Sequence, residues 1–500
     1  MATKMQQDTQ YIEDLKQRGW EVIVGLEMHA QLATKSKLFS PASNRFGDEP
    51  NTNIHPICLG LPGTLPTLNK EAVRMAVTLG CALGSTIAPI SRFDRKSYFY
   101  PDSPRNFQIT QFYKPILLGG KLFDEESGLT FPLDRAHLED DAGMLKHFQG
   151  WAGVDYNRAG APLIEIVSEP CIHSPYQARR YVTTLREALL YLGVSNCNLE
   201  RGEIRFDVNV SVRPVGESTL RPKAEIKNMN SITNMEAALQ SEIDRQIALY
   251  ESNPEKDPAE VMPQTTYRYD PDRKETVRMR AKETASDYRY FPEPDLPPVL
   301  IDQAFIDRIA SNLPELAPQK KHRYKTTLGL SDYQIQTLLD DLEICRFFEE
   351  ALKQICSPSK LASSLVNWIT VEFLGRLNEK HLSFKESEIR PSDVAQLVNM
   401  IDHGDITGKI AKKIADEMVA LPGTAPEQII SSNPNYRPVD NIDQITTWID
   451  DVLAQNPTAM EDYKNGKNKA YGFLVGQVMA KSRGAAKPDT VNRILKEKLL

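Results

Sequence analysis

Four stretches in the first half of the chain alternate as β-strands do, yet their polar side carries acids, histidines and amides. In residues 22–31 the alternation sets Glu27, His29 and Gln31 on one face, with Leu26, Met28 and Ala30 opposite. Residues 135–141 align His137, Glu139 and Asp141 in the same way, and residues 162–169 set Glu165 and Glu169 among aliphatic neighbours. Residues 204–213 divide into an apolar face and a face of Arg205, Asp207, Asn209, Ser211 and Arg213. If the four share one sheet, its polar side gathers negative charge that only a cation could hold in place. The plain alternative is an antiparallel sheet with one wet face, which alternates too. Ordinary wet faces, however, favour Thr, Lys and Arg, and like charges set opposite one another destabilise a sheet. Carboxylate oxygens with one imidazole suit Mg²⁺ or Mn²⁺, whereas a zinc site wants more Cys or His.

Something must position these strands. At 500 residues the chain is too long for one ordinary core and calls for two to four domains. Its 41% hydrophobic and 25% charged content describes a soluble globular protein. No apolar run approaches the roughly 20 residues of a membrane span, and residues 1–20 show neither a secretory signal nor a transit peptide. Six scattered cysteines without a C-x-x-C pair fit a reducing cytoplasm. A net charge of −7 argues against a non-specific nucleic-acid binder. From Tyr463 onward, though, nine bases face two acids, a tail suited to phosphates or to a solvated helix surface.

Ser174-Pro175 opens a helix whose apolar positions run from Ala178 to Leu192 before Gly193 stops it. A second helix is expected over 231–251, and a polar loop over 253–266. The proline-rich run Phe291–Pro298 marks the first domain boundary. Beyond it, residues 332–342, 344–355 and 360–377 carry helical periodicity. Breaks follow at His403-Gly404-Asp405, Pro422-Gly423 and Asn433-Pro434. The expected fold is α+β: a cradle built on a mostly antiparallel sheet with flanking helices, then an all-α domain and a small helical tail.

The usual nucleotide cradles are missing. Residues 404–409 have the wrong spacing for a phosphate-binding loop, no G-x-G-x-x-G follows a strand, and no G-x-S-x-G nucleophile elbow occurs. Any phosphoryl chemistry would therefore rest on a carboxylate-bound cation, which can bridge phosphate oxygens and neutralise developing charge. Cations and aromatics flank the acids. Arg95, Lys96, Tyr98 and Tyr100 sit beside a turn, Lys223, Glu225 and Lys227 share one face of a strand, and residues 287–291 repeat the aromatic–arginine theme. Each alone reads as packing beside an exposed cation; together they describe a cleft for anionic ligands.

These segments resemble, as a set, the B-subunit family of tRNA-dependent amidotransferases, the GatB family. The resemblance is carried by Gly25–His29, Cys58–Gly63, Phe93–Lys96 with Pro101-Asp102, Asn157-Arg158 with Leu163–Pro170, Asp287–Asp295 and Gly472–Met479. It implies a cytoplasmic ligase forming a C–N bond with glutamine as nitrogen donor. ATP and Mg²⁺ would phosphorylate the side-chain carboxylate of Glu-tRNA(Gln) or Asp-tRNA(Asn), and ammonia would then displace phosphate. The implied partners complete a heterotrimer: a glutaminase of the amidase type, which supplies ammonia through a channel, and a small third protein that braces the pair. Carried over residue by residue, His29, Glu139 and Glu165 match Mg²⁺-associated positions, and Glu27 and Asp140 match neighbouring acids. On this resemblance Glu27, His29, Glu139 and Glu165 are the catalytic set. Nucleotide contacts are expected from Arg95, Lys96, Asp207, Asn209, Ser211 and Lys227. Contacts to tRNA are expected from Tyr98, Arg158, Tyr288, Arg289, Lys467, Lys469 and Lys481. The implied domains are an extension over 1–20, a catalytic cradle over 21–295, a helical domain over 296–404 and a tRNA-binding tail over 405–500. Ser40, Ser43 and His55 occupy the region where many relatives carry zinc-binding cysteines, leaving only Cys58, so no zinc is expected. Asp140 replaces the usual Glu, and its shorter arm makes a bridging water the expected route to a cation. A tRNA-binding chaperone with a merely wet sheet face is the rival reading. The related archaeal-type protein would need a large inserted domain for which the chain has no room.

Overall fold

The computed structural model describes residues 2–229, 231–281, 288–433, 436, 439, 441–464, 467–482 and 486–499. Asp287, Pro434 and Arg483 of the motifs above lie outside them. The chain forms two compact units, Met1–Ala317 and Pro318–Leu500.

In the first unit nine strands matter for the site: β1 (Trp20–Gln31), β2 (Ile90–Ser97), β3 (Phe107–Lys114), β4 (Leu129–Asp140), β5 (Pro162–Ser168), β6 (Ile204–Pro214), β7 (Ala224–Met229), β8 (Thr265–Asp270) and β9 (Glu275–Ala281). The main sheet runs β9-β8-β7-β6-β1-β5-β4 and continues through the short strands Leu117–Leu118 and Thr86–Ile87. Along the named strands only the β7–β8 pair is parallel. All four strands read from the sequence are thus neighbours, with β1 pairing β5 on one side and β6 on the other. Strands β2 and β3 pair with each other in a smaller sheet, which Phe291–Pro292 and Val299–Leu300 join along β2.

Alternation decides which face is covered. Leu26, Met28 and Ala30 of β1, Ile164 and Ile166 of β5, and Ile204, Phe206 and Val208 of β6 are all buried in one core. Helices that contribute to that core include α2 (Lys70–Leu83), α3 (Pro175–Tyr191) and α4 (Ile232–Glu251). Both expected helices form, and each is capped by a serine. The Ser174 hydroxyl accepts from Gln177 N at 3.1 Å, and the Ser231 hydroxyl from Asn234 N at 3.3 Å. Residues 2–17 form a further helix, so the extension is structured. Its Asp8 accepts hydrogen bonds from the Ser174 hydroxyl and from Gln177 at 3.3 Å, and its Leu15 is buried. The segment 253–266 is not one loop: Pro258–Val261 is a helical turn and β8 begins at Thr265.

Core packing also moves the domain limits. Leu296, Ile301 and Ile309 belong to the core of the first unit, so the proline-rich run ends no core. In the second unit a helical core extends from Tyr324 to Tyr436, taking in Ile406, Ile410 and Ile414 beyond the break at Gly404. A separate small core holds Ile445 to Leu499. Gly404 is a helix terminus with φ +76°, a conformation glycine adopts without strain, rather than an edge of a domain. The helix begun at Pro358 continues to Glu379, widening to π spacing over Trp368–Phe373.

Phe206 is fully buried at the centre of the large sheet. Phe206→Ala should lower the unfolding free energy of the first unit by about 3–5 kcal/mol, measured by chemical denaturation; a loss under about 1 kcal/mol would mean that this face is not the core.

Candidate active site

The register places functional side chains in a row. On β1, β5 and β4, His29 lies opposite Glu165, and Glu165 lies opposite His137. Glu139 stands two residues beyond His137 on β4 and so shares its face. The His29 Nε2 is 3.2 Å from both Glu139 Oε1 and Glu165 Oε2. The His137 Nε2 is 3.3 Å from Glu165 Oε2 and 3.7 Å from Glu139 Oε2. The Thr110 hydroxyl of β3 donates to Glu139 at 3.2 Å. His29 and Glu165 keep 20% and 15% of their side chains exposed, against 4% for Glu139, so the cluster has an entrance.

Electrostatics ties the four together. Burial works against charge on every one of them, yet the Glu165 charge and hydrogen bonds to both acids raise His29 well above its usual range. The same causes raise His137 to about 9. Burial is likewise outweighed at Glu139 and Glu165, where the two imidazoles hold both carboxyls well below their usual range. Two imidazolium rings therefore stand where two carboxylates need positive charge. The donor set fits a divalent cation: one nitrogen of His29 and an oxygen each of Glu139 and Glu165 lie within 4.8 Å of one another.

Glu27 does not join this cluster. It faces Asp207 across the β1–β6 pair, and an oxygen of each, with one of Glu225, lies within 4.8 Å of the others. The Asn209 amide donates to Glu27 at 2.9 Å, and the Lys227 Nζ lies 3.4 Å from Glu225 and 3.9 Å from Asp207. This second nest borders a cleft of about 760 Å³ whose wall includes Glu27, Asn209, Ser211, Arg221 and Lys223. The Asn209 amide oxygen is buried without a partner at that wall.

Asp140 is turned away from both nests. Its carboxylate accepts from the Arg105 guanidinium and from Ile109 N at 2.9 Å, because alternation sends it to the opposite face from Glu139. No bridging water is needed to explain it: it anchors β4 to β3. Asp141 is clamped by Arg158 and by Arg205 at 3.1 Å; burial opposes the charge, but the two guanidinium groups hold this carboxyl below its usual range. Arg158 also donates to the Gly202 carbonyl at 2.8 Å, so both its ends are engaged. Arg95 binds Glu293 at 2.8 Å and Asp295 at 3.1 Å and lies 4.2 Å from the centre of the Phe107 ring, which makes it a tie between β2 and the proline-rich run. Lys96 is the arm of that strand that reaches toward the cluster. Burial disfavours its charge, but the fields of Glu139, Tyr290 and Glu165 outweigh it and keep the ammonium protonated. Its Nζ lies 4.8 Å from the centre of the Tyr288 ring, Tyr98 stacks on Tyr100 at 5.8 Å, and Arg289 lies 5.7 Å from the Phe99 ring centre. Ser211 donates to the Arg221 carbonyl at 2.9 Å, which fixes that wall of the cleft.

In the tail, Lys467 and Lys481 are paired with Asp462 at 2.8 Å and Asp451 at 2.6 Å, whereas Lys469 is exposed and has no ion-pair partner among the described residues. Two members of the nests lie outside the site residues expected from the sequence. His137 is one, although alternation already aligns it with Glu139. Glu225 is the other, on a strand more conspicuous for its lysines.

Residues 22–307 match the family described as the GatB/GatE catalytic domain, and residues 346–499 match the GatB domain. The chain belongs to the GatB family. It is 54% identical over 482 residues, 96% of its length and 97% of the relative's, to the B subunit of the aspartyl/glutamyl-tRNA(Asn/Gln) amidotransferase of Protochlamydia amoebophila. The same-named proteins of Chlamydia pneumoniae and Chlamydia muridarum are each 54% identical over 478 residues, 95% of this chain and 97% of theirs. Both nests and the cleft of this GatB-family chain lie inside the matched catalytic domain. No described helix is long and apolar enough to cross a membrane.

The cluster predicts a pH signature. Imidazoles raised above their ordinary 6.5 contribute stability in full below that pH and lose it as pH rises through the folded values, about 9 for His137. Carboxyls depressed from 4.5 contribute in full above it and lose it as pH falls through their folded values. In buffer free of divalent ions, the gap in melting temperature between the unaltered chain and His137→Asn should be widest between pH 4.5 and 6.5 and should narrow toward pH 9. A gap that does not vary with pH would contradict the charged pairing.

Proposed function

We propose that this chain is the carboxylate-activating component of a tRNA-dependent amidotransferase, acting on Glu-tRNA(Gln), Asp-tRNA(Asn) or both. The convergence of His29, Glu139 and Glu165 from three adjacent strands, beside a nucleotide-sized cleft edged by a second acid nest, carries this reading. A carboxylate is a poor acyl donor until one of its oxygens becomes part of a phosphate leaving group. In the proposed sequence a side-chain carboxylate oxygen of the aminoacyl group attacks the γ-phosphorus of ATP, and the bond to ADP breaks. Ammonia then attacks the acyl carbon, the bond to phosphate breaks, and an amide remains on the tRNA. Mg²⁺, when bound, supplies charge neutralisation for the phosphate oxygens.

The chain's own groups account for the rest. Glu139, Glu165 and His29 would hold one cation, with Thr110 and His137 fixing the orientation of the two carboxylates. Glu27, Asp207 and Glu225 lie on the nucleotide side, where Asn209 and Ser211 shape the wall and Lys223 offers positive charge to phosphates. Lys96, held protonated, offers a fixed cation to the substrate carboxylate, and Tyr288 and Tyr290 screen that side from water. None of the nucleophile motifs of an amidase is present in the sequence, so ammonia would come from a glutaminase partner, as the relatives' naming as one subunit of an enzyme suggests. The exposed tail cations suit tRNA phosphates. Asp462 and Asp451 would release Lys467 and Lys481 readily, because surface ion pairs are worth about 0–1 kcal/mol.

Assaying the purified complex with each mischarged tRNA, ATP and glutamine tests the activity. His29→Ala should lower amidation by about a hundredfold or more while tRNA binding persists; unchanged amidation would remove the cation assignment and favour a tRNA-binding chaperone. For the tail, Lys469→Gln should weaken tRNA binding and reduce the slope of log affinity against log salt by about one. Lys467→Gln should do less, because that lysine must first leave Asp462.

A further inference from the structure

The tail core leaves a cleft of about 510 Å³ lined by Tyr463, Tyr471, Asn492, Arg493 and Lys496. The two tyrosine rings are 5.4 Å apart between centres and tilted by 38°, a tilted contact rather than a parallel stack. The Tyr471 hydroxyl donates to the Asn492 carbonyl at 3.0 Å and lies 3.2 Å from its side-chain oxygen, which pins the ring in place. Two cations stand beside Asn492 on the same helix. Arg493 makes a loose, exposed contact with Glu497 at 3.4 Å, and Lys496 has no ion-pair partner among the described residues. A pinned aromatic face, an amide within reach of a base edge and two cations at the mouth are the parts with which proteins capture an unstacked nucleotide.

We propose that this cleft takes one extruded base of the bound tRNA, stacked against Tyr463 and Tyr471, with the adjoining phosphates at Arg493 and Lys496. The inference rests on the tRNA substrate proposed above and adds a contact that does not act through charge. The site is distinct from the lysine surface around Lys469, which touches phosphates only. Stacking is tolerant of base identity, so the cleft selects a nucleotide that is free to leave its helix rather than a particular sequence.

Binding of a tRNA transcript to the full chain across a salt series tests it. Replacing both Tyr463 and Tyr471 by Leu should lower affinity about tenfold at every salt concentration and leave the salt slope unchanged. Lys496→Gln should reduce the slope by about one. Tyr471→Phe keeps the ring and should retain most of the affinity, which guards against a loss caused by misfolding. Tyr463→Trp gives a direct reading, because a stacked base should quench the new indole emission when tRNA is added. Unaltered affinity in the leucine double variant, or an indole that tRNA leaves unquenched, overturns the proposal while the amidotransferase reading stands. A full chain that does not bind the transcript at all overturns both.

Discussion

The first unit depends on the charge balance among four side chains on one face of its sheet. Glu139 and Glu165 come from neighbouring strands and reach toward the same His29 nitrogen, each 3.2 Å away. Two carboxylates this close, with little water, repel strongly unless positive charge lies between them. The histidines supply it, and the register supplies the histidines: His29, Glu165 and His137 are direct cross-strand partners. A one-residue slip of β5 would send Glu165 into the apolar core and leave both imidazoles unpaired. The same arrangement suits the divalent cation proposed for the site. Imidazolium rings hold the carboxylates in place when no cation is bound, and a cation would take over the charge that their protons carry.

Several charged residues near the cluster are paired off, and this pairing defines the site as much as the cluster does. Asp140 is bound by Arg105, Asp141 by Arg158 and Arg205, and Glu293 by Arg95. Each of these acids sits within hydrogen-bonding reach of a planar guanidinium, which satisfies a carboxylate better than a lysine does. Other acids gather into the two nests on either side of β1. Glu27 and His29, two residues apart on that strand, lean in opposite directions because Glu27 faces Asp207 while His29 faces Glu165. One strand thus separates the His29 cluster from the wall of the cleft by a single residue repeat.

Much of this is legible in the residues. Period-two alternation identifies β1, β4, β5 and β6, and their polar faces do meet, because strands with a continuous apolar face have only one way to bury it. The Ser174-Pro175 start announces α3, whose first turn that hydroxyl caps. Alternation tells which face a side chain takes but not which neighbour it will lean toward. Separating Glu27 from His29 therefore needs the register, which is set by long-range pairing. Asp140 is a different case: its position next to Glu139 already places it on the other face, and the family likeness outweighs that local rule only on paper. The domain limits depart from expectation for a third reason. Proline runs and glycine stops mark where a helix or strand must end, whereas a core boundary depends on where the apolar side chains go. Leu296 and Ile301, beyond or within the prolines, still pack inward.

The tail shows the same distinction between charge in sequence and charge in space. Nine bases in the final stretch suggest a uniform phosphate surface, yet Lys467, Lys481 and Lys498 each meet an aspartate of the same small tail. Such pairs are weak at a wet surface, so they hold the lysines without committing them, and a phosphate chain can displace the carboxylates. What the count conceals is that Lys469, on the one hand, and Arg493 and Lys496, on the other, have different surroundings. Lys469 stands in open solvent, where only long-range attraction is available. Arg493 and Lys496 stand beside fixed aromatic rings, where a ligand that first arrives by charge can be held by a contact that salt does not weaken. A tail built from both would gain speed of encounter from the first and residence from the second.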